Sequence, residues 1–280
     1  MSTQKTWFIT GASKGFGFEI AAGVLAAGDK VVATVRSQPE QLTKTLNNNP
    51  DLLVVVMDVS NESLVKKAVD QAIGRFGRID VLVNNAGYGL LSGVEEASDA
   101  EVRKQYDTNV FGVLNVTRAV LPYMRRQGSG HVINISSLFG FGSIPGWGVY
   151  GSTKFAIEGI TEALAIEAKP LGIHVTAVEP GLFRTNFLDA GSFSASSNVI
   201  DAYKDTVGPM RSGAGQLDGK QPGDPKKLAH ALLKLVNSEN PPVHLPLGKD
   251  ALALYRDKTA RLEKELAEWK DTIVSTDFEQ

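Results

Sequence analysis

The sequence predicts an α/β fold, a single doubly wound domain built on a parallel sheet of about seven strands. Three observations carry that expectation. Short Val/Ile-rich runs recur along the chain, apolar throughout rather than alternating, as parallel strands buried on both faces require. Stretches of helical period separate these runs. A glycine-rich turn joins the first run directly to the first helix.

Taken in order, residues 6–10 form the first strand and lead into Gly11-Ala12-Ser13-Lys14-Gly15-Phe16-Gly17. Residues 18–27 have amphipathic helical spacing and stop at Gly28, which can take the left-handed conformation that ends helices. Further strands are expected at 30–35, 52–57, 79–83, 131–135 and 172–179, with helices including 61–76, 99–126 and 149–168. In the first of those helices, Leu64, Val65, Ala68, Val69, Ala72 and Ile73 repeat at helical period and mark the face packed on the sheet. Residues 243–247 add a last strand, and Pro241, Pro242 and Pro246 confine it to an edge. A C-terminal helix over 248–270 carries Leu252, Tyr255, Leu262, Leu266 and Trp269 toward the domain or a partner subunit. The chain is read as one domain over 1–280.

Composition narrows the class. Net charge is −2 over 280 residues with both signs interspersed, so no basic field argues for nucleic acid or an anionic membrane. There is no cysteine, which removes disulfides and thiolate metal sites. No apolar run approaches the ~20 residues needed to span a bilayer. The first strand follows Met1 too closely for a secretory signal, so a cytoplasmic protein is expected.

Strand, glycine turn and helix together read as the start of a dinucleotide-binding βαβ unit, although the same turn could simply enter a helix. Its spacing is Gly-x-x-x-Gly-x-Gly rather than the general Gly-x-Gly-x-x-Gly. Farther on, Tyr150 and Lys154 stand four apart and share a helix face. A phenol has an ordinary pKa of about 10, and a nearby cation favours its ionised form. Ser137, thirteen residues before Tyr150, brings a hydroxyl from another segment. Such groups transfer a proton at a carbon–oxygen bond.

With Thr10–Gly17, Asp58, Asn84-Asn85-Ala86-Gly87, Asn109, Ser137, Tyr150-x-x-x-Lys154, Pro180-Gly181 and Thr185 in this order, the chain resembles the short-chain dehydrogenase/reductase family. The resemblance implies a Rossmann-fold oxidoreductase. Gly11, Ser13, Lys14, Gly15, Phe16 and Gly17 would cradle the cofactor phosphates, while Asp58 would accept from the adenine amino group beside Val59. Asn85 would stabilise the sheet, and Ala86-Gly87 would let the ribose lie close. Pro180, Gly181 and Thr185 would also belong to the cofactor site. Lys154 would hold the nicotinamide ribose, Tyr150 would be the general acid, and Ser137 would position the substrate oxygen. Ser136 is the rival serine; Ser137 is preferred because Gly140 follows it by three residues, the family spacing. Asn109 would kink its helix and hold a water that relays protons to Lys154. A homodimer or homotetramer is implied.

Charge points to NADPH/NADP. Val35 stands where the family's NAD users carry an acid, and Arg36 follows it. Arg36 and Lys14 would bind a 2′-phosphate, arginine through its planar fork. Residues 182–223 form the expected substrate lid, with Phe183, Phe187, Leu188, Phe193, Tyr203, Val207 and Met210 as a mobile apolar cover. Leu138, Phe139, Phe141, Ile144, Trp147 and Val149 would line the opposite wall, or equally serve as core. The expected substrate is a bulky apolar ketone or aldehyde, reduced by NADPH to its alcohol. Alternatives are a steroid- or retinoid-type hydroxy dehydrogenase, a non-catalytic NADP(H)-sensing regulator, or a methyltransferase on the same sheet. His131, His174, His230 and His244 lie outside every motif, so neither a Ser–His hydrolase nor a metal site is expected.

Overall fold

The computed structural model describes residues 4–185, 187, 192–217 and 219–278. The strands are β1 (Thr6–Ile9), β2 (Lys30–Val35), β3 (Leu52–Val56), β4 (Val81–Asn84), β5 (Gly89–Leu91), β6 (Gly130–Ile135), β7 (Ile173–Pro180), β8 (Phe193–Ala195) and β9 (His244–Leu247). Seven of them form one sheet in the order β3-β2-β1-β4-β6-β7-β9, and every pairing is parallel. The α/β doubly wound sheet is therefore as expected. Strand order reverses between β1 and β4, so the crevice for a ligand lies at the carboxyl ends there.

Why these segments become buried strands is visible in β1. Trp7 and Ile9 face one side, where they meet Ile20 and Val24 of α1 (Gly15–Ala26) and Leu228 and Leu232 of α8 (Pro225–Val236). Phe8 faces the other side, among Val65 and Val69 of α3 (Glu62–Phe76) and Val116 and Val120 of α5 (Gly112–Gln127). Each strand thus feeds two helical layers, which removes any need for a polar face. The remaining helices are α2 (Pro39–Thr45), α4 (Asp99–Tyr106), α6 (Gly148–Ala168), α7 (Gly208–Leu217), α9 (Lys249–Glu268) and α10 (Lys270–Val274).

Three expectations are refined. The long helix read over 99–126 is broken by a π turn at Asp107–Phe111, which separates α4 from α5. The proline-bearing last strand does form, at the sheet edge, where Pro246 pairs with Glu179 and loses no ladder bond on its open side. The C-terminal helix lies on the domain through its first turns, with Tyr255 among the packed residues as expected. Ala251 is fully buried, and Leu254 and Tyr255 pack on the segment after β6. Leu252 is exposed on the outer side of those turns, and Leu262, Leu266 and Trp269 are exposed farther along, where the helix runs off the domain.

Candidate active site

The glycine turn is a device for bringing backbones together. Gly11 and Gly15 have φ of +67° and +59°, the left-handed region that side chains disfavour. A Cβ on Gly17 would lie 2.4 Å from the Gly11 carbonyl oxygen, so no larger residue fits without moving the turn. Thr10 Oγ1 accepts from the amides of Asn85 and Ala86, each at 2.9 Å. Asn85 Nδ2 donates back to the Thr10 and Gly11 carbonyls at 2.9 and 3.0 Å. These bonds lash the turn to the end of β4 and explain why Asn85 acts on the sheet. The role of Thr10 as the clasp was not read from sequence.

Helix α1 begins at this turn with no side-chain cap and no acidic residue in its first turn. Its leading amides and its dipole therefore face the crevice, which suits a phosphate. Ser13 is exposed there, and Lys14 occupies the N-cap position. Phe16 packs edge-on against Phe183 at 5.3 Å, and the Cβ of Thr185 lies 3.8 Å from where a Cβ of Gly15 would sit. The residues after β7 thus close over the glycine turn. Pro180 ends that strand, and Gly181 has a structural reason of its own. A Cβ there would collide with Asp250 Oδ1 at 2.1 Å, while Asp250 Oδ2 accepts from the Leu182 amide at 2.6 Å.

Arg36 is exposed directly beyond β2, whereas Val35 is buried in the core. Asp58 is exposed at the end of β3 and accepts from the amide and hydroxyl of Ser60 at 2.9 and 2.7 Å. Val59 is committed to the fold: its side chain packs on Gly112 and its carbonyl accepts from Asn115 at 3.0 Å. Gly87 lies where a Cβ would press on Asn109 Oδ1 at 3.2 Å.

Asn109, Ser137, Tyr150 and Lys154 converge at the same edge. Asn109 is buried on the π turn; its Oδ1 accepts from the Tyr88 amide at 3.1 Å and its Nδ2 donates to the Tyr88 carbonyl at 2.9 Å. The same Nδ2 reaches Thr153 Oγ1 at 3.2 Å, and that hydroxyl donates to the Tyr150 carbonyl at 2.7 Å. Thr153, unremarked in the sequence, therefore ties Asn109 to the helix that carries Tyr150. Ser137 is bonded to the Tyr150 phenol, and its Oγ also accepts from the Phe139 amide at 3.1 Å. Ser136 points the other way, toward Gly140 and Glu158. Of the two serines, Ser137 is the one beside Tyr150.

Electrostatics differ from the simple expectation. Burial pushes the Tyr150 phenol up to about 12, opposed only by its bond to Ser137. Burial also brings Lys154 down to about 8, opposed by Glu158. The Lys154 ammonium donates to the Ile135 carbonyl at 2.8 Å and lies 5.7 Å from the Tyr150 ring centroid. Desolvation outweighs the cation in this state because a backbone oxygen, rather than the phenol, holds it.

Tyr150 lies under an aromatic cover. Trp147 stands 5.6 Å, Phe187 5.8 Å and Phe139 6.3 Å from it between ring centroids. Leu91, Leu138, Phe193 and Met210 belong to the same cluster, together with Ala251 and Leu254 of α9. Four residues expected in this wall or lid are placed elsewhere. Phe141 stacks on Tyr255 at 3.9 Å, Ile144 is exposed, Phe183 joins the core near Phe16, and Tyr203 turns outward to donate to Glu95 at 2.6 Å. Val149 is buried beside Tyr150, Val207 is buried in the lid, and Leu188 falls outside the described residues.

The cover is also fastened more firmly than its composition implied. β8 pairs with β5, and Glu96 accepts from the Gly93 amide at 2.6 Å, the Ile200 amide at 3.0 Å and the Arg211 guanidinium. The bond to Arg211 holds the Glu96 carboxyl below the usual carboxylate range. Replacing Arg211 by Met leaves that carboxylate short of a partner, at a cost of about 1–3 kcal/mol. Limited proteolysis between 182 and 223 is expected to speed up by roughly tenfold or more. Unchanged cleavage would show that this ion pair does not latch the cover.

The comparisons agree with this geometry. The short chain dehydrogenase family model matches residues 5–192. A solved short-chain dehydrogenase from Streptomyces avermitilis is 40% identical, superposes with a TM-score of 0.91, and matches over 99% of this chain and 100% of its own. A 3-ketodihydrosphingosine reductase from Bacteroides thetaiotaomicron is 40% identical over 248 residues, 88% of this chain and 89% of its own. A 3-ketoacyl-(acyl-carrier-protein) reductase from Brucella melitensis, solved with NADH, is 30% identical with a TM-score of 0.73 over 87% of this chain and 96% of its own. The chain belongs to the short-chain dehydrogenase family. It is an oxidoreductase served by a nicotinamide cofactor, as other solved relatives with NAD or NADP are. No helix among the described residues is long and apolar enough to cross a membrane.

Proposed function

We propose that the protein is an NADPH-dependent reductase of bulky apolar ketones and aldehydes. The observation that carries this reading is the Tyr150 phenol set beneath Phe139, Trp147 and Phe187, with Ser137 bonded to it. Flat apolar walls favour a large hydrocarbon-bearing substrate over a sugar or a charged acid. The cationic pair Arg36 and Lys14, with valine rather than an acid at position 35, supports NADPH. The Bacteroides relative, named for reducing a ketone, supports the direction.

The bound cofactor supplies the hydride, and this chain's residues do the rest. Tyr150 donates its proton to the carbonyl oxygen, while the Ser137 hydroxyl holds that oxygen in place. Lys154 holds the ribose hydroxyls and favours the ionised phenol once the proton has left. Asn109, fixed by Tyr88 and Thr153, anchors the π turn through which water reloads Lys154. The aromatic cover excludes bulk water from the reacting bond.

A panel of carbonyl compounds matched for reactivity tests the pocket. Catalytic efficiency should rise with apolar bulk; equal or better use of small charged keto acids would contradict it. We further infer a homodimer or homotetramer in the cytoplasm; the exposed Leu262 and Leu266 of α9, with Trp269 at its end, support the association. Light scattering that showed a concentration-independent monomer would exclude it.

A further inference from the structure

Behind the catalytic helix face lies a cluster that the mechanism does not use. Glu158 follows Lys154 by one turn of α6, so both side chains leave the same buried face. His244 Nδ1, from β9, lies 3.1 Å from Glu158 Oε2 and 3.0 Å from Glu179 Oε1, the latter from β7. Its Nε2 reaches Glu162 at 3.3 Å, and Glu162 is open to solvent. Tyr255 of α9 is bonded to Glu179, and Lys258 of the same helix stacks over Phe141. Three buried atoms in this cluster find no hydrogen-bond partner among the described residues: Glu158 Oε1, Glu179 Oε2 and Ser136 Oγ. A Cβ on Gly140 would lie 2.6 Å from Ser136 Oγ and 2.7 Å from Glu158 Oε1, so both atoms border the space that this glycine leaves open. Ser136 is the residue after Ile135, whose carbonyl receives the Lys154 ammonium.

We propose that Glu158, seated between Glu179 and His244 behind Lys154, is a positioning residue that sets the charge of Lys154 and thereby the hold on the cofactor ribose. It deepens the proposed function and rests on Lys154 being the ribose ligand in that reading. The physical case is a balance of two charges in a dry setting. Burial lowers Lys154, and Glu158 is what opposes it. Glu158 is itself pushed up to about 7, by burial first and then by Glu179, so its charge changes near neutrality. Burial alone would lower His244, but its bond to Glu179 and the surrounding carboxylates raise it. Protonated His244 then favours the charged form of Glu158. As pH rises through about 7, Glu158 gains charge and holds the proton on Lys154 into the alkaline range.

Two substitutions separate the charge that faces Lys154 from the charge behind it. Glu158→Gln removes the opposing charge and should lower the Lys154 midpoint by about one pH unit. Glu179→Gln removes a neighbour that raises Glu158, but Lys154 titrates above Glu158, so its midpoint should move little. Glu158→Asp keeps a carboxylate and should restore part of the shift.

The measurement is a pH titration of 13C-labelled lysine side chains by NMR, with Lys154 assigned from the signal missing in Lys154→Arg. It uses the full chain without cofactor or substrate, so a protein inactive on every carbonyl would sink the proposed function and leave this test readable. A Lys154 midpoint that stays put in Glu158→Gln, or that falls as far in Glu179→Gln, would overturn the proposal. Should Glu158→Gln fail to fold, Glu158→Met, apolar like its buried surroundings, takes its place with the same downward shift expected. One donor atom from each of Glu158, Glu179 and His244 lies within 4.8 Å of the others, a spacing also open to a cation. The titration is therefore run in EDTA and repeated with manganese. Stoichiometric manganese binding lost in Glu179→Gln would make the cluster a metal site and contradict the proposal.

Discussion

Tyr150→Phe is expected to lower turnover by about 10²–10⁴-fold while cofactor binding persists. The change deletes one oxygen and keeps the ring that packs against Trp147, Phe139 and Phe187. Lost stability should therefore be small, since the aromatic contacts survive. The bond to Ser137 disappears with the oxygen, leaving that hydroxyl bonded to the Phe139 amide. Steady-state kinetics together with fluorescence titration of NADPH separate the two effects. Turnover within a few-fold of wild type would remove Tyr150 as the acid. A proportionate loss of cofactor affinity would instead indicate a disturbed pocket.

The second large effect is a change of cofactor preference. Val35→Asp combined with Arg36→Gln should shift the ratio of catalytic efficiencies from NADPH toward NADH. The new carboxylate would accept from the two adenosine ribose hydroxyls and repel a 2′-phosphate. A hydrogen bond to a charged group is worth about 1.5–3 kcal/mol, or roughly ten- to a hundredfold in affinity. Position 35 adds a constraint that the sequence did not show. Val35 is 2% exposed and packs in the core cluster beneath α1. An aspartate there is desolvated in the cofactor-free protein, so its melting temperature should drop and NADH should restore it more than NADPH. Lys14 remains in the variant, so some NADPH binding persists. A wild type that already prefers NADH would refute the phosphate role of Arg36.

Much of this was legible in sequence because single physical demands dominate single segments. Residues such as Val31, Val32 and Ala33 must be apolar on both faces, so the central strands announce themselves. Gly11, Gly15 and Gly17 are fixed by backbone geometry alone, and Tyr150 with Lys154 by helical spacing. What escaped depends on pairs distant in the chain. Glu96 and Arg211 stand 115 residues apart, and neither carries a local sign of its partner. β5 and β8 are three residues each, too short for any period to show. The aromatic residues around 138–149 look alike as composition, yet Phe139 faces Tyr150 while Phe141 stacks on Tyr255. The π turn at Asp107–Phe111 leaves no mark in hydrophobic period and was expected only as a kink implied by family resemblance. Burial also reversed one electrostatic expectation, since spacing places Lys154 near Tyr150 but cannot report how dry the phenol is.

The central claim is that this chain passes hydride from NADPH to an apolar carbonyl carbon while Tyr150 protonates the oxygen. Its most direct test supplies wild-type protein with NADPH deuterated at the transferable C4 position and a bulky apolar ketone. The product is then examined by mass spectrometry. The account predicts an alcohol bearing one deuterium on the carbinol carbon, formed at least tenfold faster than with equally labelled NADH, the lower bound for one lost charge-assisted bond. An alcohol without the label, or no alcohol from any apolar carbonyl, would contradict it.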